Sequence, residues 1–224
     1  MSDMRPILKH PLSVRVFHYL LLLSFLPLAV TGLILFFKPL ADAGMQTTYD
    51  VHMAAGAMMA LACVGFFLMA FDRVVLFVAR AFTFDKRDIG WFKVLGGYPQ
   101  KFLLRKKVPV PPMNKYNSGQ KLFGICVIIG GTVLVFSGLV LWLIPHAAPR
   151  DTVWLLGQLH LFWGLLLTAF LPIHLFLAVY RWDDFKAMMG NGLVPYHDAA
   201  EFTPRFVEEE IVPTVIKGDK VVSQ

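Results

Sequence analysis

Four of the seven histidines in this 224-residue chain, His18, His52, His160 and His174, stand in long apolar runs where no water is at hand to satisfy a polar ring. An unpaired polar group in hydrocarbon is costly, so intramembrane imidazoles mark function. One such residue reads as a satisfied core histidine; four placed like these call for a shared chemistry. Neutral imidazole is the commonest protein metal ligand. His160 and His174 are 14 residues apart. At about 100° per residue that is about 1400°, within roughly 40° of four full turns, so both rings leave one helix face about 21 Å apart along the axis. His10, His146 and His197 lie in polar flanking segments and are expected to be solvated.

The elements that position these rings follow from the scarcity of charge. Residues 16–37, 51–71, 122–149 and 152–180 contain no Lys, Arg, Asp or Glu, and roughly 20 apolar residues cross a bilayer as a helix. With 57% hydrophobic and 16% charged residues, the composition excludes a disordered chain, a disulfide-rich secreted domain and a transmembrane barrel. The expected fold class is all-α, a transmembrane four-helix bundle with both termini cytoplasmic. Its spans are expected near 16–37, 51–78, 120–143 and 153–180 within a bundle domain of residues 1–190, followed by a polar cytoplasmic tail, 191–224. The first run lacks a small-residue cleavage motif and reads as a retained span.

The net charge of +6 is a topology signal. Three basic residues precede the first span, eleven lie between Arg73 and Lys121, and five follow from Arg181, leaving Lys38 and Arg150 in the short loops. The positive-inside rule puts the termini and the central linker in the cytoplasm. A basic face for nucleic acid is not expected. The linker from about 80 to 116, with VPVPPM, reads as a solvated, extended segment able to meet a partner or lipid headgroups. The second span is expected to continue past Asp72 and Arg73 as an interfacial helix. The tail reads as a polar, partly disordered extension, and Cys63 and Cys126 as small packing residues.

Depth then sorts the histidines. His18 lies just inside the first span with His174 toward the cytoplasm; His52 opens the second span from the outer loop with His160. Two pairs result, one per leaflet, and paired imidazoles across a bundle are what bis-histidine haem b requires. Zinc would want three or four ligands at one depth. Gly56 and Gly164, each four residues after a histidine, leave room for a flat macrocycle, although small residues also serve ordinary helix packing. Arg15 and Arg150 are candidates for haem propionates or for anchoring at the membrane surface. An internal echo, VTGLIL (30–35) and FSGLVL (136–141), places Gly32 and Gly138 in the outer halves of the first and third spans.

A second motif, Lys115, Tyr116, Asn117, Ser118, Gly119, Gln120 and Lys121, opens the third span. It reads either as a helix start with Asn117 or Ser118 as N-cap, or as a pair of carboxamides that hydrogen-bond a quinone carbonyl. This motif, with the four histidines in their spans, resembles the cytochrome b (gamma) subunit of respiratory formate dehydrogenases over residues 10–190. The resemblance implies two haems b, the outer held by His52 and His160 and the inner by His18 and His174. It implies a menaquinone site at Asn117, Gly119 and Gln120, and partners in an iron–sulfur beta subunit and a molybdenum or tungsten catalytic alpha subunit. The expected place is the bacterial inner membrane. Electrons would run inward from the outer haem to a quinone that takes its protons from the cytoplasm. The chain is then the electron-transfer and quinone-reducing subunit of an oxidoreductase, not itself the formate-oxidising enzyme. Equivalent subunits of hydrogenase or thiosulfate reductase complexes share this pattern. A haem-free transporter or scaffold using relay histidines would bring intramembrane carboxylates, which the span interiors lack.

Overall fold

The computed structural model describes residues 6–212. In chain order the helices are α1 (Leu12–Phe37), α2 (Asp42–Met69), α3 (Phe71–Phe82), α4 (Lys86–Val94), α5 (Tyr98–Leu104), α6 (Ser118–Leu143), α7 (Arg150–Tyr180), α8 (Trp182–Met189) and α9 (Tyr196–Phe202). Two short strands, β1 (Ile7–Leu8) and β2 (Leu193–Val194), pair antiparallel with Ile7 opposite Val194. The helices α1, α2, α6 and α7 are long and apolar enough to cross a membrane. The chain divides into two compact units: Ser13–Val74 with Cys126–Tyr180, and Val75–Ile125 with the described residues of 1–12 and those from Arg181 on.

The first unit holds the four long helices. They are apolar on every side, the pattern of a helix surrounded by hydrocarbon. Leu23, Leu61 and Leu68 are exposed, whereas Ser24, Ala29, Thr31, Ala55, Ala62 and Ser137 are buried. Small and hydroxyl residues thus face inward, as expected where close helix approach and hydrogen bonds replace the hydrophobic effect. The Ser24 hydroxyl donates to the Leu20 carbonyl at 2.7 Å, which settles a polar group inside its own helix. Pro27 and Pro172 are accommodated within α1 and α7, and neither interrupts its helix. The second span differs from expectation at both ends: it begins at Asp42 and stops at Met69, where Ala70 leaves helical geometry at φ −138° and ψ 41°. The apolar run beyond it forms a separate amphipathic helix, α3, with Asp72, Arg73 and Arg80 as its charges.

The second unit corrects the reading of the linker and tail. The linker is not extended throughout, since α4 and α5 occupy much of it and helix is absent at 83–85 and 105–117. A capping box opens α4: Asp85 Oδ1 accepts from the Asp88 N–H at 3.4 Å and Asp88 Oδ2 accepts from the Asp85 N–H at 2.8 Å. The tail is folded as far as Val212. Ile7, Ala187, Val194, Ala199, Phe206 and Val207 form one buried cluster, so the residues before α1 and after α7 share a core. Residues 213–224 of the predicted tail lie outside the described residues.

Charges hold this core. Lys9 is 3% exposed, and its Nζ donates to Asp184 Oδ2 at 2.6 Å. His10, expected to be solvated, is largely buried with Nε2 3.1 Å from Asp184 Oδ1. Arg181 pairs with Asp198 at 3.1 Å and lies over the Phe202 ring. The glutamates of the tail are tied down as well, Glu210 to Arg80 at 2.6 Å and Glu209 to Arg205 at 2.7 Å, while Arg205 also reaches Asp85 at 3.1 Å. His146 and His197 are exposed.

Candidate functional site

The four intramembrane histidines come together as two pairs. The rings of His52, from α2, and His160, from α7, have centres 6.3 Å apart with planes at 66°. Those of His18, from α1, and His174, from α7, have centres 6.4 Å apart with planes at 43°. A metal–imidazole bond is about 2.0–2.1 Å and the ring centre lies about 1.1 Å behind each nitrogen, so two imidazoles on opposite faces of one iron have centres about 6.2–6.4 Å apart. Both pairs have that separation. Among the described residues no group of three or more His, Cys, Asp and Glu converges as a metal site. Cys63 and Cys126 are half-buried free thiols.

Around His52 and His160 the structure adds residues that spacing alone does not reveal. Thr31 Oγ1 lies 2.8 Å from His52 Nδ1, and Ser137 Oγ lies 2.9 Å from His160 Nδ1. Each hydroxyl has a single proton, and each donates it within its own helix, Thr31 to the Pro27 carbonyl and Ser137 to the Val133 carbonyl, both at 2.6 Å. With those protons engaged, the hydroxyls stand as acceptors toward the histidines, the arrangement that suits an imidazole with hydrogen on Nδ1 and a free lone pair on Nε2.

The neighbouring glycines make room for the rings. A Cβ at Gly138 would stand 3.1 Å from His160 Cε1, and one at Gly32 would stand 3.5 Å from His52 Cε1. At Gly56 and Gly164 a Cβ would meet only Leu28 Cδ2 and Leu134 Cδ2, each at 3.9 Å. Gly138 thus leaves its imidazole room that a side chain would take, whereas at Gly32, Gly56 and Gly164 a Cβ would make only ordinary contacts. The echo between VTGLIL and FSGLVL was the available signal for Thr31 and Ser137, because both copies carry a hydroxyl residue just before the glycine. Arg15 is half-buried and Arg150 exposed.

The motif at the start of α6 resolves its helix-start alternative. Asn117 is the N-cap: its Oδ1 accepts from the Gln120 N–H at 2.9 Å, and Gln120 Oε1 accepts from the Asn117 N–H at 3.0 Å, a reciprocal capping box. Carbonyl oxygens make the box, so what these side chains can offer a ligand is their amide N–H groups. Ser118 is fully buried and donates to Asp88 Oδ1 at 2.7 Å, where Lys121 Nζ also donates at 2.9 Å. Burial raises the Asp88 pKa, but Lys121, the Asp85 amide and Ser118 outweigh it and hold the carboxyl below its ordinary value. Burial also pushes the Tyr116 phenol up. Gly119 is required by packing, since a Cβ there would lie 2.7 Å from the Trp91 ring. Trp91, only 7% exposed, is a supporting residue with no signal in the motif.

The chain has relatives among known proteins. Residues 9–191 match the family described as prokaryotic cytochrome b561. The chain is 27% identical to the cytochrome b556 subunit of nitrate-inducible formate dehydrogenase from Escherichia coli, over 93% of this chain and 94% of that protein. It is 22% identical to a formate dehydrogenase cytochrome b556 subunit from Haemophilus influenzae, over 92% of this chain and 84% of that one. With four membrane-spanning helices and a match covering most of its length, the chain belongs to the prokaryotic cytochrome b561 family, haem b electron-transfer proteins that cross the bacterial inner membrane several times.

Proposed function

We propose that this chain is the diheme cytochrome b subunit of a formate dehydrogenase, carrying electrons from a periplasmic iron–sulfur partner to menaquinone. The observation that carries the reading is the separation of the two histidine pairs, 6.3 Å and 6.4 Å between ring centres. His52 and His160 hold one haem toward the outer face, and His18 and His174 hold the other toward the cytoplasm. Bound there, haem b supplies one-electron chemistry. The protein supplies the ligands, helices that exclude water, and an apolar surround. The names of the relatives point to formate dehydrogenase, which implies a beta subunit with iron–sulfur clusters and an alpha subunit with molybdenum or tungsten.

Menaquinone binds at Asn117, Gly119 and Gln120. The amide N–H groups of Asn117 and Gln120 donate to a quinone carbonyl while their oxygens remain in the capping box. The distribution of Lys and Arg places the termini and this motif on the cytoplasmic side, so the protons taken up on reduction come from the cytoplasm. Drawing electrons inward while consuming inner protons charges the membrane, at about 2.3 kcal/mol per charge per 100 mV.

The test is a haem count on the purified complex together with a dithionite-reduced spectrum. Two haems b per chain, titrating as two components, are expected. One haem per chain, or no b-type spectrum, overturns the reading.

A further inference from the structure

We propose that Thr31 and Ser137 are positioning residues of the outer haem, setting the tautomer of its two ligands and its reduction potential. The inference rests on the haem assignment of His52 and His160 made above, and deepens it. Its basis is the pair of hydrogen bonds in which each hydroxyl, its own proton spent on a carbonyl 2.6 Å away, accepts the Nδ1–H of a histidine at 2.8 or 2.9 Å.

Two consequences follow from that geometry. An imidazole whose Nδ1 holds hydrogen can bind iron only through Nε2, so the hydroxyls choose the ligating atom. Accepting from Nδ1–H also makes Nε2 a better electron donor, as acceptors behind metal-bound histidines do in general. Stronger donation from both sides favours ferric over ferrous iron and lowers the potential of the outer haem. A lower potential there favours passage of electrons toward the inner haem.

The arrangement is graded. A carboxylate in either place would pull harder on the Nδ1 proton and would bring a charge into the membrane interior, where it is costly. A neutral hydroxyl already engaged as donor accepts without adding charge. Both hydroxyls are buried, Thr31 at 7% exposure and Ser137 at 0%, and on the His160 side the Leu134 carbonyl also stands as a partner of the ring. The two sites are also equivalent in sequence, each hydroxyl residue standing directly before the glycine, Gly32 or Gly138, against which the partner histidine ring lies.

The experiment is a potentiometric titration of the whole purified complex, followed in the reduced b-type bands, for wild type, the Thr31→Val/Ser137→Ala double variant and the reciprocal swap Thr31→Ser/Ser137→Thr. The double variant should move one of the two midpoint potentials upward, by roughly a tenfold change in the one-electron equilibrium, about 59 mV, and leave the other in place. The swap keeps both hydroxyls and should keep the wild-type value. Unchanged potentials in the double variant overturn the inference, as does an equal shift in the swap, which would trace the effect to side-chain volume. If the double variant loses the outer haem, retention in the swap supports the role of the hydroxyls, and loss in the swap overturns it. A wild-type complex without two haems fails at the haem count, before any variant is compared, so failure of the assignment is distinguishable from failure of the tuning.

Discussion

The two histidine pairs are nearly equal in separation, 6.3 Å and 6.4 Å, and are built on different plans. At His52 and His160 each helical hairpin contributes the same constellation: Leu28, Thr31, Gly32, His52 and Gly56 from one, Leu134, Ser137, Gly138, His160 and Gly164 from the other. At His18 and His174 the repeat is absent. When Thr31 is set on Ser137, the position corresponding to His18 is Gly124, and when His52 is set on His160, the position corresponding to His174 is Phe66. Phe66 stacks on Phe17 at 4.1 Å instead. A two-fold repeat can orient two rings alike from one short motif, whereas the His18–His174 pair takes one ring from each hairpin at unrelated positions. The His52–His160 pair is therefore the more uniformly held of the two.

The largest effect belongs to the ligands themselves. His160→Ala should abolish the outer haem and leave the inner one, and His174→Ala should do the reverse, with quinone reduction falling to background in both. The haem count and the reduced spectra of the two variants check this. Loss of both haems from either variant would mean that the pairs do not load independently, and the contrast between them would collapse.

Next in size is the quinone motif. Gln120→Glu keeps the oxygen that accepts from the Asn117 N–H, so the capping box and the helix start survive. It replaces the amide N–H groups by a carboxylate that cannot donate to a quinone carbonyl. Loss of one such hydrogen bond predicts a roughly tenfold drop in quinone reduction, with both haem potentials unchanged. Normal turnover in this variant would count against Asn117 and Gln120 as the quinone site and would leave them as a helix cap alone.

How much of this was legible in the sequence differs between the units for a physical reason. In hydrocarbon a charge or a free polar group is so costly that the absence of Lys, Arg, Asp and Glu marks the spans, and the few histidines that remain stand out. Helical periodicity then aligns His160 with His174. The hydroxyl partners were less legible, because Thr and Ser inside a membrane helix read as ordinary packing until a second element places a ring beside them. In the other unit the controlling contacts join residues far apart in the chain, Lys9 with Asp184, Arg80 with Glu210 and Asp85 with Arg205. A charge run whose partner lies at the other end of the sequence looks solvated, which is why the tail and His10 read as exposed. The Asn117–Gln120 box was visible as a pattern, but a capping box and a pair of quinone donors use the same residue types.

That second unit supplies a control for the comparison. Asp184→Asn leaves Lys9 buried with a weakened partner and should cost about 3 kcal/mol, read as a lower thermal transition with both haem potentials unmoved. The pH dependence has a definite sign. Burial holds His10 below its ordinary value, with Asp184 opposing in part. Burial pushes Asp184 up, but the His10 hydrogen bond and the Lys9 ammonium outweigh it and hold the carboxyl well below the usual carboxylate range. Both lowered values mean that stability is present at neutral pH and lost on acidification, through His10 from about pH 6.5 and through Asp184 below about pH 4. In Asp184→Asn the second stage should be missing. A haem potential that shifts in this variant would show that the contrast between the sites is not local to them.

The smallest effect tests the repeat itself. A Cβ at Gly138 would stand 3.1 Å from the His160 ring, tighter than an ordinary contact, whereas a Cβ at Gly32 would stand 3.5 Å from the His52 ring, within ordinary van der Waals range. Gly138→Ala must therefore displace its histidine by a few tenths of an ångström or strain the helix, at about 1 kcal/mol, while Gly32→Ala should be close to neutral. The temperature at which the outer haem is lost should fall in the first variant and hold in the second. If both fall equally, the two halves of the outer site are tighter and more alike than the distances indicate. If neither falls, the glycines are not what seats the imidazoles, and the hydrogen bonds from His52 to Thr31 and from His160 to Ser137 hold the rings unaided.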